Sequence, residues 1–551
     1  MAEPTGSDSV DDGAPARVAT APAGKWTRLR ARAAPFWARL PASWRAVIAR
    51  DPLLFGVFVA LWSCALLPIW VPRFLPLLDL PDHLDAISIW HRYNQPDWRY
   101  SQYYLLNIIP FPYWGYFFPV HMLAYLFPIE IANKLYLSVY ALSLPLSLLI
   151  LARRFGRSPW LALFAFPLVF NMNFTYGFIT FCAGIVVLTF AIVVLDRFLE
   201  KPTRKRAWAL ALLTLALYST HVLPWMFFGV ASIILAFCHG FHPRRILAAF
   251  ALELPSLLLA LYAFPRSQHG KTAIQPGPLE FQAKFEGVLS SLQNVPTRLV
   301  SGWPGDAPSY LLLGLGLVWL TLLLTAHADE HEVPAKEGFA YRLELVIVLA
   351  VAAYLLLPMH LLKPVDLWMI GGRFLTIVAL FGALLPRGRI GGYRRLLFIP
   401  VIAISILYPS LLARKWLQFD RRAASFRRLV KQIERGSSTL TIVTDNGLDV
   451  SADDQAAPYI QFHAYAQFLV GGYEPWALSS GFPYYERPGV KQPAPRWKHP
   501  ETFNFDAHGA YYDYILTKAE FTNHAIFGPD DAGRAPLIAT DGDWRLYKVR
   551  H

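Results

Sequence analysis

The sequence predicts an α-helical polytopic membrane protein with about eleven transmembrane helices and a small C-terminal extracytoplasmic α/β domain. Three observations predict the class. Of 551 residues, 55% are hydrophobic and only 16% charged, whereas soluble domains carry nearer a quarter. Apolar runs close to the ~20 residues of a spanning helix recur along the chain. The Lys and Arg residues behind the net charge of +13 fall in short clusters between those runs, the positive-inside pattern, which argues against a nucleic-acid partner.

The elements follow in order. Residues 1–50 divide into a stretch rich in Ala, Pro, Gly, Ser and Asp, which reads as disordered, and a basic, aromatic segment from Lys25 to Arg50 suited to the inner membrane surface. No cleavable signal peptide is evident. Residues 51–412 form the transmembrane domain, with spans expected near 53–71, 133–151, 160–171, 177–195, 207–220, 222–239, 246–264, 309–326, 343–359, 373–385 and 395–412. Large loops occupy 72–132 and 265–308. Within the first, the aromatic stretch Tyr113–Phe127 reads as an interfacial helix, because a further span there would turn Arg153, Arg154 and Arg157 outward. The tail, 413–551, changes character. An amphipathic helix over Arg421–Arg435 precedes the strand-like runs Thr439–Thr444, Tyr511–Leu516 and Trp544–Val549, which suggests a small α/β domain. Cys64, Cys182 and Cys238 all lie in apolar runs and imply no disulfide framework.

Charge sets the orientation. The basic loops at Arg153–Arg157, Lys201–Arg206, Arg244–Arg245 and Arg387–Arg395 fall on one side when the N-terminus is cytoplasmic. The alternation then puts the C-terminal domain outside. The composition bias suits a bacterial plasma (inner) membrane. On the same external face fall Asp79, Asp82, His83 and Asp85, the break Asn171–Gly177, the turn at His221, and His360, Lys363, Asp366 and Arg373.

The densest polar group is Leu78-Asp79-Leu80-Pro81-Asp82-His83-Leu84-Asp85. Pro81 suits the first turn of a helix capped at Asp79 or Leu80. Asp82 and Asp85 then share a face. Three carboxylates in seven residues exceed what capping requires, and carboxylates beside a bilayer are costly. They read as a general base, Asp79 or Asp82, or as ligands for a divalent cation, with Asp85 the most structural of the three. His83 suits an anionic substrate group. His221 reads either as a hydrogen-bonded structural residue or as a substrate contact. Asn173 and Tyr176 either satisfy a broken helix or bind substrate. Arg373 suits a phosphate, or pairs with Asp366 to hold its loop. No Walker loop, Rossmann glycine pattern, zinc spacing, HExxH or GxSxG occurs.

This arrangement resembles the GT-C superfamily of membrane glycosyltransferases. The resemblance rests on a basic N-terminal span, a long external loop opening on an acidic motif, many further spans and an external C-terminal domain. Family members take sugars from polyprenyl-phosphate carriers and hold a catalytic Asp in the first external loop, often as Asp-Glu or Asp-x-Asp. The matching position here reads Asp79-Leu80-Pro81-Asp82-His83, which departs from both. The resemblance implies that Asp79 or Asp82 activates an acceptor hydroxyl while Arg373 and His221 hold the departing lipid phosphate. Its implied partners are a polyprenyl-phosphate-linked sugar donor, membrane lipids, and a glycan, lipid or protein acceptor. No cofactor is certain. A Mg or Mn ion would fall to Asp79, Asp82 and Asp85. Two alternatives remain at this level: a transporter or flippase of lipid-linked substrates, for which Glu253 is the one clear mid-span charge, and a non-enzymatic scaffold with an external binding domain.

Overall fold

The computed structural model describes residues 51–240, 242–267, 281–300, 307–325, 341–363, 367–388, 390–443, 458–476, 482–497, 499–518 and 533–551. Residues 1–57 and 58–551 form two units. Of the first, only residues 51–57 are described, as the opening turns of a helix, so the expectations for residues 1–50 lie outside the described residues.

Helices form where the sequence is apolar. In order, the longer ones among the described residues are α1 (Pro52–Trp70), α2 (Leu80–His91), α3 (Trp114–Leu123), α4 (Ile129–Arg154), α5 (Ile179–Glu200), α6 (Arg204–Thr220), α7 (Val222–Cys238), α8 (Pro243–Ser267), α9 (Ala307–Thr325), α10 (Arg342–Leu356), α11 (Leu375–Gly382), α12 (Ile399–Val430) and α13 (Phe462–Val470). Among the described residues, 6 helices are long and apolar enough to cross a bilayer: α1, α4, α5, α8, α9 and the one ending at Val430. Val222–Cys238 and Ile370–Gly382 are shorter and equally apolar. The fold is that of a multi-pass membrane protein. α3 has 10 residues, about 15 Å at the α-helical rise, which is half a hydrocarbon core.

Contacts sort the helix ends into two groups. At one end the fully buried Asp196 of α5 receives Arg154 from the end of α4, His239 from just beyond α7 and Arg342 from the start of α10. Glu344 receives Arg157 and Arg387 beside it. Two of the four basic loops that orient the sequence, Arg153–Arg157 and Arg387–Arg395, are therefore fastened to carboxylates on the bundle itself. Burying such charges is costly, and pairing each of them offsets that cost.

The stretch 160–171, expected as a spanning helix, takes another form. It runs as the 3-10 helix Pro159–Ala165 and then turns, and every residue in it is buried. α4 and α5 both end beside Asp196, so this stretch must carry the chain back between them. A 3-10 rise of about 2.0 Å per residue covers more length than an α-helix does. Irregular backbone at membrane depth is tolerated when protein surrounds it. Tyr140 Oη donates to Val169 O at 3.1 Å and Tyr408 Oη to Phe170 O at 2.8 Å, which meets two of the freed carbonyls.

α12 has 32 residues and carries both the apolar run and the basic amphipathic run without a break. Beyond it lies a four-stranded sheet in the order β5 (Thr439–Val443), β7 (Tyr514–Lys518), β9 (Trp544–Lys548), β8 (Leu537–Asp541). The β5–β7 pair is parallel and the other two are antiparallel. Trp544 packs on Phe426 of α12 and Phe462 of α13, with ring centroids 4.9 and 5.8 Å apart. The C-terminal region also reaches back to the first loop. β1 (Tyr104–Leu106) pairs with β6 (Tyr484–Glu486), and α13 packs along α2. A third small sheet, β2 (Gln282–Lys284), β3 (His360–Lys363) and β4 (Leu367–Trp368), leads to the turn before α11.

Candidate active site

The end of the bundle away from Asp196 gathers the start of α2, the break before α5, the α6–α7 junction and the turn Ile370–Arg373 before α11. Two strands of chain form its floor. Leu78 N–H donates to Thr175 O and Asp79 N–H to Tyr176 O, both at 3.1 Å, and His83 Nε2 lies 3.1 Å from Gly177 O. Gly177 sits at φ +83°, and a Cβ there would stand 2.8 Å from the Asp79 nitrogen. Gly177→Ala therefore meets both a left-handed backbone and a clash. It is expected to cost about 1–3 kcal/mol, read as a lowered unfolding midpoint in detergent. Gly156→Ala, at φ +67° with nothing within 4 Å, isolates the backbone share and should cost less.

Asp79 occupies the N-cap of α2 but makes no capping hydrogen bond with its side chain. Local helix capping thus does not account for the carboxylate. Its charge acts instead on Arg373 and on Tyr113. Arg373 is buried. Its guanidinium donates to Trp368 O at 2.9 Å, lies 3.1 Å from His221 Nε2, and stacks 3.7 Å over the Phe178 ring. Its Nε finds no hydrogen-bond acceptor among the described residues. His221 caps α7, with Nδ1 accepting from Leu223 N–H at 3.1 Å. A neutral ring with Nδ1 so used carries its proton on Nε2. Two donors then face each other across 3.1 Å, and an anionic oxygen beside them would satisfy both.

Three more groups close this cradle. Tyr113, at the left-handed φ of 90°, faces His221 at a ring distance of 5.2 Å. Tyr176 packs against Trp368 and Phe178, at 5.3 and 5.6 Å. Asn173 Nδ2 donates to Arg373 O at 3.2 Å and to Thr376 Oγ1 at 2.9 Å, so it fixes the turn that carries the arginine. Asp366 lies outside the described residues.

Asp82 and Asp85 turn the other way, into the contact with the C-terminal region. They are 2% and 1% exposed, and neither Asp82 oxygen has a hydrogen-bond partner among the described residues. The fully buried Glu474 acts electrostatically on both. Its Oε2 lies 2.8 Å from His463 Nδ1 and accepts from Trp476 N–H at 2.9 Å. Burial, then the neighbouring carboxylates, hold Asp82 and Asp85 well above the usual carboxylate range. Burial likewise pushes His83 down to about 4, so its ring is neutral near pH 7, among Tyr116, Phe117 and Phe482. Among the described residues, no group of three or more His, Cys, Asp or Glu side chains could hold a metal ion, and Asp79, Asp82 and Asp85 are no exception.

The structure thus brings Asp79, Tyr176, His221 and Arg373 together, with Asn173 as their support, and sets Asp82 and Asp85 apart. Sequence reasoning missed Tyr113, Phe178 and Glu474 as neighbours of these groups. Tyr113 had a signal, an aromatic beside Pro112 in the first loop, but that pattern also fits a membrane-interface anchor. Glu474 had none, because the α2 aspartates on which it acts are almost 400 residues away in sequence.

No protein-family model matches the chain, and no curated protein matches it by sequence. Solved structures similar to this one include these two. One is the arabinofuranosyltransferase AftD from Mycobacteria, at TM-score 0.47 and 13% identity, over 90% of this chain and 40% of that one. This chain thus spans well under half the length of that protein. The other is ArnT from Cupriavidus metallidurans bound to undecaprenyl phosphate, at TM-score 0.47 and 11% identity, over 91% of this chain and 98% of that one.

Proposed function

We propose that this chain is an integral membrane glycosyltransferase that moves a sugar from a polyprenyl-phosphate carrier to an acceptor hydroxyl on the extracytoplasmic side. The observation that carries this reading is the Asp79 carboxylate placed within electrostatic reach of a buried arginine that has a donor to spare and a histidine facing it. A base and a phosphate-binding pair are the two groups that such a transfer needs. Asp79 takes the proton of the acceptor hydroxyl. The acceptor oxygen then bonds to the anomeric carbon as the bond from that carbon to the phosphate oxygen breaks. Charge grows on the departing lipid phosphate, where Arg373 and the His221 Nε2–H offset it. The C-terminal region, joined to the first loop through β1 and β6, is suited to present the acceptor.

The test is transfer from radiolabelled polyprenyl-phosphate sugars to candidate acceptors by the purified protein. Arg373→Lys keeps the charge but loses the planar fork, and should lower turnover about a hundredfold. Transfer that survives both Asp79→Asn and Asp82→Asn would remove these carboxylates from the mechanism. A reporter-fusion map that placed residues 79–85 in the cytoplasm would remove the assigned side. Movement of intact lipid-linked sugar across proteoliposomes, with no covalent product, would favour the transporter reading instead.

A further inference from the structure

A second polar site lies at the far end of α2 from Asp79. There a cavity of about 860 Å³ is lined by Arg73, Arg99, Arg427, Arg428, Lys431 and Arg435, against one carboxylate, Asp97. Three of these cations already have partners: Arg73 with Glu130 at 3.5 Å, Arg427 with Asp420, and Arg428 with Asp541. Arg99, Lys431 and Arg435 have no ion-pair partner among the described residues. Arg99 also acts electrostatically on Glu434, which is bonded to Lys548 Nζ at 2.8 Å and Tyr514 Oη at 3.1 Å.

The walls are built, not draped. Gly436 lies so close to the 97–99 turn that a Cβ would stand 2.7 Å from Asp97 O, and at Gly471 a Cβ would stand 2.8 Å from Trp98 O. Arg99 itself is held at a left-handed φ of 54°. Arg435 stacks over Trp98 at 5.1 Å, and Arg92 over the same indole at 3.9 Å. Two guanidiniums on one ring, beside further cations, repel one another unless an anion is shared between them.

The height of the cavity follows from the helices. About 20 residues of α12, counted from Ile399, cross a ~30 Å hydrocarbon core and reach Phe419. The next residue, Asp420, accepts from Phe74 N–H at 3.0 Å, and Phe74 lies just past the end of α1. Two crossings thus end at one level, with Arg73 and Arg427 immediately above it. That is the level of lipid headgroups.

We infer that this cavity binds the phosphate of an anionic lipid headgroup carrying two or more negative charges. Neutral sugars and zwitterions would leave the cations unmatched, whereas arginine forks suit phosphate oxygens. The volume exceeds a phosphate ion and fits a headgroup. The inference does not depend on the glycosyltransferase reading, since the cavity stands at the opposite end of α2 from the proposed base.

Native mass spectrometry of the full chain in detergent, titrated with phosphatidic acid, phosphatidylcholine or inorganic phosphate, tests this. Phosphatidic acid should bind most tightly, and less so as salt rises. The double variant Arg99→Gln with Lys431→Gln should weaken that binding about thirtyfold. Asp79→Asn should leave it unchanged. If the double variant does not fold, Arg435→Gln alone should weaken binding about fivefold. Equal binding of phosphatidic acid and phosphatidylcholine, undiminished binding by the variants, or saturation by inorganic phosphate without phosphatidic acid would overturn the inference.

Discussion

Replacing Asp79 by Asn is expected to reduce sugar transfer about 10²–10⁴-fold while leaving the protein folded. The amide matches the carboxylate in size but takes no proton from an acceptor. The fold should tolerate it, because the Asp79 side chain contributes no capping bond to α2 and the backbone bond to Tyr176 O remains. Donor binding should change little, since Arg373 and His221 are untouched, so the loss should fall on turnover and not on KM. Removing the carboxylate also removes the charge facing Arg373, which if anything favours an incoming phosphate. The measurement is steady-state transfer at saturating donor, with the unfolding midpoint as control. A variant with normal turnover would end the assignment of Asp79 as base. Asp82→Asn supplies the comparison: its side chain is buried away from Arg373, and it should retain turnover within about tenfold.

Why the sequence separates these two aspartates poorly is a matter of helix geometry. Spacing alone says that Asp82 and Asp85 share a face of α2 and that Asp79 precedes it. It does not say what that face meets. The answer lies in Phe462–Val470 and Glu474, brought onto α2 by tertiary packing. The membrane class was legible because hydropathy and basic loops act locally, and Arg154, Arg157 and Arg387 do gather at one end, on Asp196 and Glu344. The crossing at 160–171 was legible as apolar and buried, but not as a 3-10 path. Its helical alternative fails for want of length, a property of the end points and not of composition. Arg373 and His221 were visible as polar residues at breaks. Their approach to 3.1 Å spans 152 positions, and nothing in either local sequence encodes it.

The buried carboxyls of α2 make the stability of this protein depend on pH in an unusual direction. Asp82 and Asp85 are raised well above 3.8 in the folded state, through burial first, and then through Asp79 and Glu474 for Asp82 and through Glu474 and Asp82 for Asp85. Below about pH 4 the folded and unfolded chains are both protonated at these positions, and the full stability is present. As pH rises past that value the unfolded chain releases its protons while the folded one keeps them. The folded state then binds more protons, so stability falls with pH until the raised folded values are passed. Each unit of raised pKa costs about 1.4 kcal/mol per group at pH values above it. The share of the unfolding midpoint in detergent that these two carboxyls set should therefore decline as pH rises above about 4, while the lowered His83 works in the opposite sense. Asp82→Asn should flatten that decline, because an amide has no proton to lose, and Asp82→Asn with Asp85→Asn should flatten it further. Identical slopes in wild type and variants would mean that these carboxyls ionise freely in the fold.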